Sequence, residues 1–152
     1  MDNVRIIDAD KDCLSKLYKH LSVQSLLDIK AVNGEVNLDI LLSLKMRSSK
    51  CKAVLFNNRV AYCVFVIPTA SEENSIYLLS STMGYSDTEE LKQSFRNIIN
   101  DLPNENFYSI VYKGNSKYTK LLKDNGFRFI RNLTHGAEER NFLLLGKSNG
   151  EK

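Results

Sequence analysis

The hydrophobic pattern of this chain changes period several times, and the order of these changes leaves few folds open. A short strand is predicted at residues 4–7, followed by a helix at 11–21 in which apolar residues recur at helical spacing. One or two helical turns are predicted at 23–32, and a further helix from residue 38 to about 46. The strongest local signal is a hairpin of strands 51–56 and 60–67, because asparagines at the turn tolerate positive φ.

In the second half of the chain, the predicted order is strand, helix, strand, helix and two strands. Pro68 is predicted to end its strand, with a polar loop at 69–74 before the next strand. Ser86 and Glu89 form a capping box that opens a helix through Leu102. The remaining predicted elements are a strand at 76–81, a strand at 107–112, a helix at 116–125 and strands at 127–133 and 141–145. We therefore expect one α/β domain over residues 1–146 and a flexible tail at 147–152.

Charge and composition narrow the possible functions. The 152 residues carry a net charge of +3, and no apolar run is long enough for a membrane span or a secretory signal. Three cysteines without a C-x-x-C pair indicate a reducing compartment, and no metal site is predicted from His20 and His135. The excess positive charge lies beyond residue 100, in a set that we call the basic C-terminal face: Lys113, Lys117, Lys120, Lys123, Arg128 and Arg131. Such a face can bind nucleic acid weakly, but it is more often only a solvated surface.

The predicted order of elements, with residues 109–127, resembles the GNAT (N-acetyltransferase-like) family. In that family a strand leads to an asparagine, a helix and then Gly-Phe at the start of the next strand. Here those positions are Asn115 and Gly126-Phe127. The resemblance implies an α/β (α+β) fold, in which a mixed, mostly antiparallel sheet of six or seven strands is flanked by about four helices.

The same resemblance exposes a departure at the cofactor turn. In active GNAT proteins the turn after the fourth strand resembles R/Q-x-x-G-x-G/A, and its backbone amides cradle the pyrophosphate of CoA. Residues 81–86 match only at Gly84, and acids at 87, 89 and 90 would repel a pyrophosphate. If acetyl-CoA binds, the resemblance assigns it to Leu79, Ser81, Gly84, Ser86 and Asn115, with the strand backbone around 79–82 pairing with pantetheine.

A second departure concerns the general acid. Many family members carry a tyrosine four residues before the motif glycine, where it protonates the departing thiolate. That position is Leu122 here, and Tyr118 lies one turn earlier on the same helix face. Tyr118 is therefore the candidate catalytic residue, and a core tyrosine is the alternative interpretation.

A narrower resemblance favours a role without catalysis. The runs 111–116 (Val-Tyr-Lys-Gly-Asn-Ser) and 121–127 (Leu-Leu-Lys-Asp-Asn-Gly-Phe) are similar to small GNAT-like internal virion proteins of short-tailed phages. This resemblance implies assembly or DNA ejection, no cofactor, other virion or assembly proteins as partners, and a location in the virion interior or host cytoplasm. The alternative hypothesis is an acetyl-CoA-dependent N-acyltransferase with a degenerate motif.

Overall fold

In a computed structural model, the chain forms a single seven-stranded sheet with helices on both faces. The structure describes residues 4–70, 73–82, 89–102, 106–113, 115–135 and 140–148. The strands are β1 Val4–Asp8, β2 Lys50–Phe56, β3 Arg59–Ala70, β4 Glu73–Ser80, β5 Asn106–Tyr112, β6 Arg128–His135 and β7 Arg140–Ser148. The helices are α1 Lys11–Lys19, α2 Val23–Asn33, α3 Leu38–Arg47, α4 Glu89–Asn100 and α5 Ser116–Asp124.

The sheet order is β1-β2-β3-β4-β5-β7-β6, and every neighbouring pair is antiparallel except β4 and β5. Helices α1, α2 and α3 cover one face, where Leu14, Leu17 and Phe65 are fully buried. Helices α4 and α5 cover the other face, where Phe95 and Leu122 are fully buried. The expected mixed, mostly antiparallel sheet is thus confirmed. The helices number five within the described residues rather than about four, because residues 23–33 form a full helix of their own.

Local sequence signals account for most element boundaries. Asn57 and Asn58 have φ angles of 51° and 65°, as the predicted hairpin turn requires. Gly34 ends α2 in the left-handed conformation, with φ of 80°. Side chains cap the N-termini of α1, α2, α3 and α5, and the capping residues are Asp10, Ser22, Asn37 and Asn115. The predicted capping box at Ser86 lies outside the described residues.

Two boundary predictions were wrong. Pro68 does not end its strand, since β3 runs on to Ala70 and β4 already begins at Glu73. An irregularity in register between Pro68 and Ala70 accommodates the residue that lacks an N–H, so the predicted loop at 69–74 is mostly strand. The second wrong boundary is the predicted start of the tail after residue 146. Strand β7 extends two residues past that position, and Lys147 Nζ donates to the Asn125 carbonyl at 2.7 Å.

Candidate functional site

The central feature of the sheet is an opening between its two parallel strands. Glu73, Asn74 and Ser75 of β4 pair with Asn106, Phe107 and Tyr108 of β5. Beyond these three pairs the register ends, although β4 continues to Ser80 and β5 to Tyr112. The backbone of β4 therefore turns one edge toward a widening gap, which we call the β4–β5 opening.

Two hydroxyl groups bridge the closed end of the β4–β5 opening. Ser109 Oγ donates to the Ile76 carbonyl at 2.8 Å, and Tyr118 OH donates to the same carbonyl at 3.4 Å. The two hydroxyl oxygens lie 3.1 Å apart. Tyr118 is fully buried, so α5 delivers its hydroxyl into a network inside the protein rather than to solvent.

The wide end of the β4–β5 opening is occupied by the start of α2. Ser80 N donates to Ser25 Oγ at 2.8 Å, and the Ser80 carbonyl accepts from Ser22 N at 2.9 Å. The Ser22 and Ser80 hydroxyls lie 2.8 Å apart. Next along the strand, Thr82 N donates to the His20 carbonyl at 3.0 Å. The segment that joins α1 to α2 thus uses the edge of β4 as its own hydrogen-bonding partner.

Asp28 places a carboxylate beside the same opening. It is 1% exposed, and its Oδ1 accepts from Tyr77 OH at 2.7 Å. Burial raises the pKa of Asp28 to about 6, although Tyr77, the Tyr112 backbone and the Asn115 amide each oppose that rise in pKa. Neither Asp28 Oδ2 nor Asn115 Nδ2 has a hydrogen bond of regular geometry among the described residues. The Asn115 amide therefore influences the Asp28 carboxylate without forming a regular hydrogen bond to it.

The predicted site residues are only partly brought together. Asn115 caps α5, its Oδ1 accepting from Tyr118 N at 3.3 Å, so these two residues do share one place. Leu79 is fully buried in the hydrophobic cluster covered by α1, α2 and α3, on the opposite face of the sheet from Tyr118. Ser81 points its hydroxyl at the Ala61 carbonyl of β3, at 3.0 Å. Gly84 and Ser86 lie outside the described residues.

Sequence reasoning missed the polar residues of α2. Ser22, Ser25 and Asp28 recur every three residues, which puts them on one helix face toward β4 and β5. A carboxylate in the apolar run Leu26-Leu27-Asp28-Ile29 is the signal that could have singled this face out, because buried carboxylates are rare without a partner. Within the described ranges, no three His, Cys, Asp or Glu side chains come together as a metal site requires.

Comparisons with solved structures identify this architecture. Ard1 from Thermoplasma volcanium superposes with a TM-score of 0.74 at 12% identity, covering 96% of this chain and 97% of that one. Spermidine N-acetyltransferase from Vibrio cholerae, solved with CoA and spermine, gives 0.71 at 10% identity, covering 97% and 96%. The protein yncA from Salmonella typhimurium, solved with acetyl-CoA, gives 0.69 at 11% identity, covering 99% and 96%.

This chain has the GNAT fold. No protein-family model matches the sequence, and no curated protein is significantly similar to it. At identities of 9–14% the superpositions carry the fold and its element order. The function therefore has to be argued from the residues at the site.

Within the described residues, the backbone of β4 that the family resemblance assigns to acetyl-CoA is already hydrogen-bonded. The family resemblance places pantetheine along the backbone of residues 79–82, but Ser80 N, Ser80 O and Thr82 N already have partners within the chain. Ser81 N faces the other way and donates to the Ala61 carbonyl at 2.8 Å. Glu89 and Glu90 are exposed in the first turn of α4, where they oppose an anion.

None of the helices that the structure describes is long and apolar enough to cross a membrane.

Proposed function

We propose that this chain is a non-catalytic GNAT-fold protein that does not bind acetyl-CoA and acts by contacting other proteins, as a virion-associated assembly or ejection protein of a phage. The observation that carries the non-catalytic part is the engaged edge of β4, whose backbone from Ser80 to Thr82 bonds to α1, α2 and β3. A pantetheine arm would have to displace these bonds.

Displacing them is costly because the partners are buried. Ser22, Ser25 and Ser80 are 6%, 0% and 0% exposed, so a lost partner leaves a buried polar group. Each such group costs about 1–3 kcal/mol if it stays unsatisfied. Pantetheine could replace the backbone bonds but not those among the serine hydroxyls, so the closed arrangement is favoured.

Tyr118 supports the same proposal. A general acid must reach the leaving thiolate, within hydrogen-bonding distance of it or through one water. The Tyr118 hydroxyl instead contacts Ile76 and Ser109 at the closed end of the β4–β5 opening, and the residue has no exposed surface. Its volume and hydrogen bonds fit a core residue that ties α5 to β4 and β5.

The phage assignment rests on the resemblance of residues 111–116 and 121–127 to GNAT-like internal virion proteins. Mass spectrometry of density-purified particles, from cultures that produce the protein, tests this part directly. We expect the chain to remain with the particles at a constant copy number through successive gradients. Its removal with the soluble proteins would contradict a virion role and leave the non-catalytic part standing.

An acetyl-CoA-dependent acyltransferase is the second candidate. The superposition of nearly the whole chain on acetyltransferases, at TM-scores of 0.69–0.74, favours it. This hypothesis needs the start of α2 to move off β4 when the cofactor arrives, and it predicts turnover that depends on Tyr118.

One experiment separates the two candidates. Acetyl-CoA and adenosine 3′-phosphate 5′-diphosphate are compared by thermal shift, because the second ligand carries every phosphate of CoA without the pantetheine arm. We expect equal, small shifts, since a ligand stabilises only as far as its concentration exceeds its dissociation constant. A parallel assay measures acetyl transfer to a panel of amines by wild type and Tyr118→Phe. Tighter binding of acetyl-CoA than of adenosine 3′-phosphate 5′-diphosphate, with turnover that falls about a hundredfold in folded Tyr118→Phe, would establish the acyltransferase instead.

A further inference from the structure

We propose that a basic concavity beside the end of β4 binds the phosphate group of a small phosphorylated ligand. This basic concavity has a volume of about 560 Å³, within the range of roughly 300–1,000 Å³ that is usual for ligand pockets. Its polar lining includes Lys16, Lys19 and His20 of α1, Arg59 of β3, and Ser81 and Thr82 after β4. The proposal does not depend on whether the protein is catalytic.

The charge around the basic concavity is of one sign. Lys16, Lys19 and Arg59 line it, and among the residues that the structure describes no carboxylate does. Arg5 of β1 adds a further cation at the rim, where it donates to Asn58 Oδ1 at 3.3 Å. Like charges held together repel one another, and a bound dianion removes that repulsion. A doubly charged phosphate is therefore the ligand chemistry that this lining favours.

One acidic side chain, that of Asp12, lies beside these cations. Asp12 lies 3.0 Å from Lys16 Nζ, one turn earlier on α1. Both side chains are more than half exposed, at 70% and 62%, so water screens this pair. Exposed pairs of this kind contribute little stability, so a phosphate bound by several cations at once can compete with Asp12.

Turn geometry and a hydrogen bond place the described backbone that carries these cations. Asn57 and Asn58 hold the hairpin turn with φ angles of 51° and 65°, which sets where Arg59 begins β3. The end of α1 is tied to the end of β4 because Thr82 N donates to the His20 carbonyl at 3.0 Å. Three elements thus place their cationic side chains around one space before any ligand arrives.

The basic concavity includes Ser81 and Thr82, at the start of the turn that the GNAT resemblance implies, but it takes its cations from elsewhere in the fold. That turn uses the N-terminus of α4, on the face of the sheet covered by α4 and α5. The cations here come from α1, from Arg59 of β3 and from Arg5 of β1, and α1 packs on the opposite face with α2 and α3. A ligand held here would approach the end of β4 from the side of α1.

Isothermal titration of the full chain with sodium pyrophosphate in dilute buffer tests the proposal. We expect saturable binding that weakens as the salt concentration rises. The variant Lys19→Gln/Arg59→Gln should bind at least tenfold more weakly. The matched control Lys120→Gln/Lys123→Gln removes the same charge from the basic C-terminal face, where both lysines line another concavity, and should change affinity less than twofold. Lys16→Gln/Lys19→Gln, with both changes on exposed positions of α1, repeats the test if Arg59→Gln perturbs the hairpin.

Three outcomes would overturn the proposal: no saturable binding by wild type, equal losses in both pairs of variants, or a loss in the Lys120→Gln/Lys123→Gln control alone. Competition then identifies the source of the phosphate. ADP should displace pyrophosphate if the ligand is a nucleotide, whereas displacement by an oligonucleotide without terminal phosphates, whose phosphodiesters each carry one charge, would contradict a small, doubly charged ligand. Failure here leaves the comparison of acetyl-CoA with adenosine 3′-phosphate 5′-diphosphate unaffected, because those two ligands carry the same phosphates and differ only by the acetylpantetheine arm.

Discussion

Asp28 lies on the face of α2 that packs on β4 and β5, and its burial has a measurable consequence for folding. The pKa rises from an ordinary 3.8 to about 6 in the folded chain, so the folded state binds a proton that the unfolded state has released. The stability that this proton supplies is fully present below pH 3.8 and is lost as the pH rises through 6. At about 1.4 kcal/mol for each of roughly two pKa units, the loss is on the order of 3 kcal/mol.

We therefore predict that Asp28→Asn flattens the dependence of stability on pH. The asparagine keeps an acceptor for Tyr77 OH but does not titrate, so its free energy of unfolding should change less than that of wild type between pH 4.5 and pH 7.5. Urea unfolding at several pH values measures this difference. Asp39→Asn, at an exposed carboxylate on α3, is the control and should retain the wild-type slope. Identical slopes for Asp28→Asn and wild type would mean that Asp28 stays charged in the folded state.

Leu122 stands where the GNAT resemblance would place a tyrosine. It belongs to α5 and is completely buried between that helix and the sheet. We predict that Leu122→Ala lowers the free energy of unfolding by about 2–5 kcal/mol, because it opens a cavity in a packed core. Leu122→Tyr should also destabilise, since the added ring has no space, and it should not create turnover. Chemical denaturation and an acetyl-transfer assay measure the two effects. A stable Leu122→Tyr variant with activity would mean that the site is an enzyme lacking one group.

At the scale of elements, α2 is the unit that closes the β4–β5 opening. Ser25 Oγ accepts from Ser80 N, and both residues are fully buried. We predict that Ser25→Ala costs about 1–3 kcal/mol, because Ser80 N–H loses its acceptor where water cannot replace it. Hydrogen exchange should show faster exchange of the Ser80 amide than in wild type. Ser43→Ala, on an exposed position of α3, should leave both stability and that amide unchanged. Unaltered protection of Ser80 in Ser25→Ala would show that α2 does not seal the edge of β4.

Elements with local signals were predictable from the sequence, and elements set by distant partners were not. The Asn57-Asn58 turn depends on the backbone preferences of a few neighbouring residues, and it is confirmed. The prediction that β3 ends at Pro68 was wrong, because pairing with β4 outweighs the preference of a proline to stop a strand. The closure of the β4–β5 opening joins Ser25 to Ser80, which are 55 positions apart, so no local pattern could reveal it.

At the scale of the whole molecule, the two faces of the sheet carry separate hydrophobic clusters, and the cysteines report on one of them. Cys13 of α1 and Cys63 of β3 are buried in the cluster between the sheet and its α1–α3 layer, and Cys51 is partly buried beside them. Burial raises the pKa of all three thiols, that of Cys51 to about 11 and that of Cys63 well above its ordinary value. Because the thiolate is the reactive form, labelling near neutral pH should be slow in the folded chain.

Labelling of these thiols can test whether the two faces unfold together. We predict that Cys63 reacts with a disulfide reagent at pH 8 only through global unfolding, at a rate set by the unfolding equilibrium. Leu122→Ala lies on the opposite face, yet it should speed this labelling, by tenfold for every 1.4 kcal/mol or so that it costs in urea unfolding. Labelling in concentrated urea, where wild type and Leu122→Ala should react equally fast, is the control. If Leu122→Ala destabilises the protein but leaves Cys63 labelling unchanged, the α1–α3 layer remains folded when α5 detaches. In that case the sheet would separate two independent folding units.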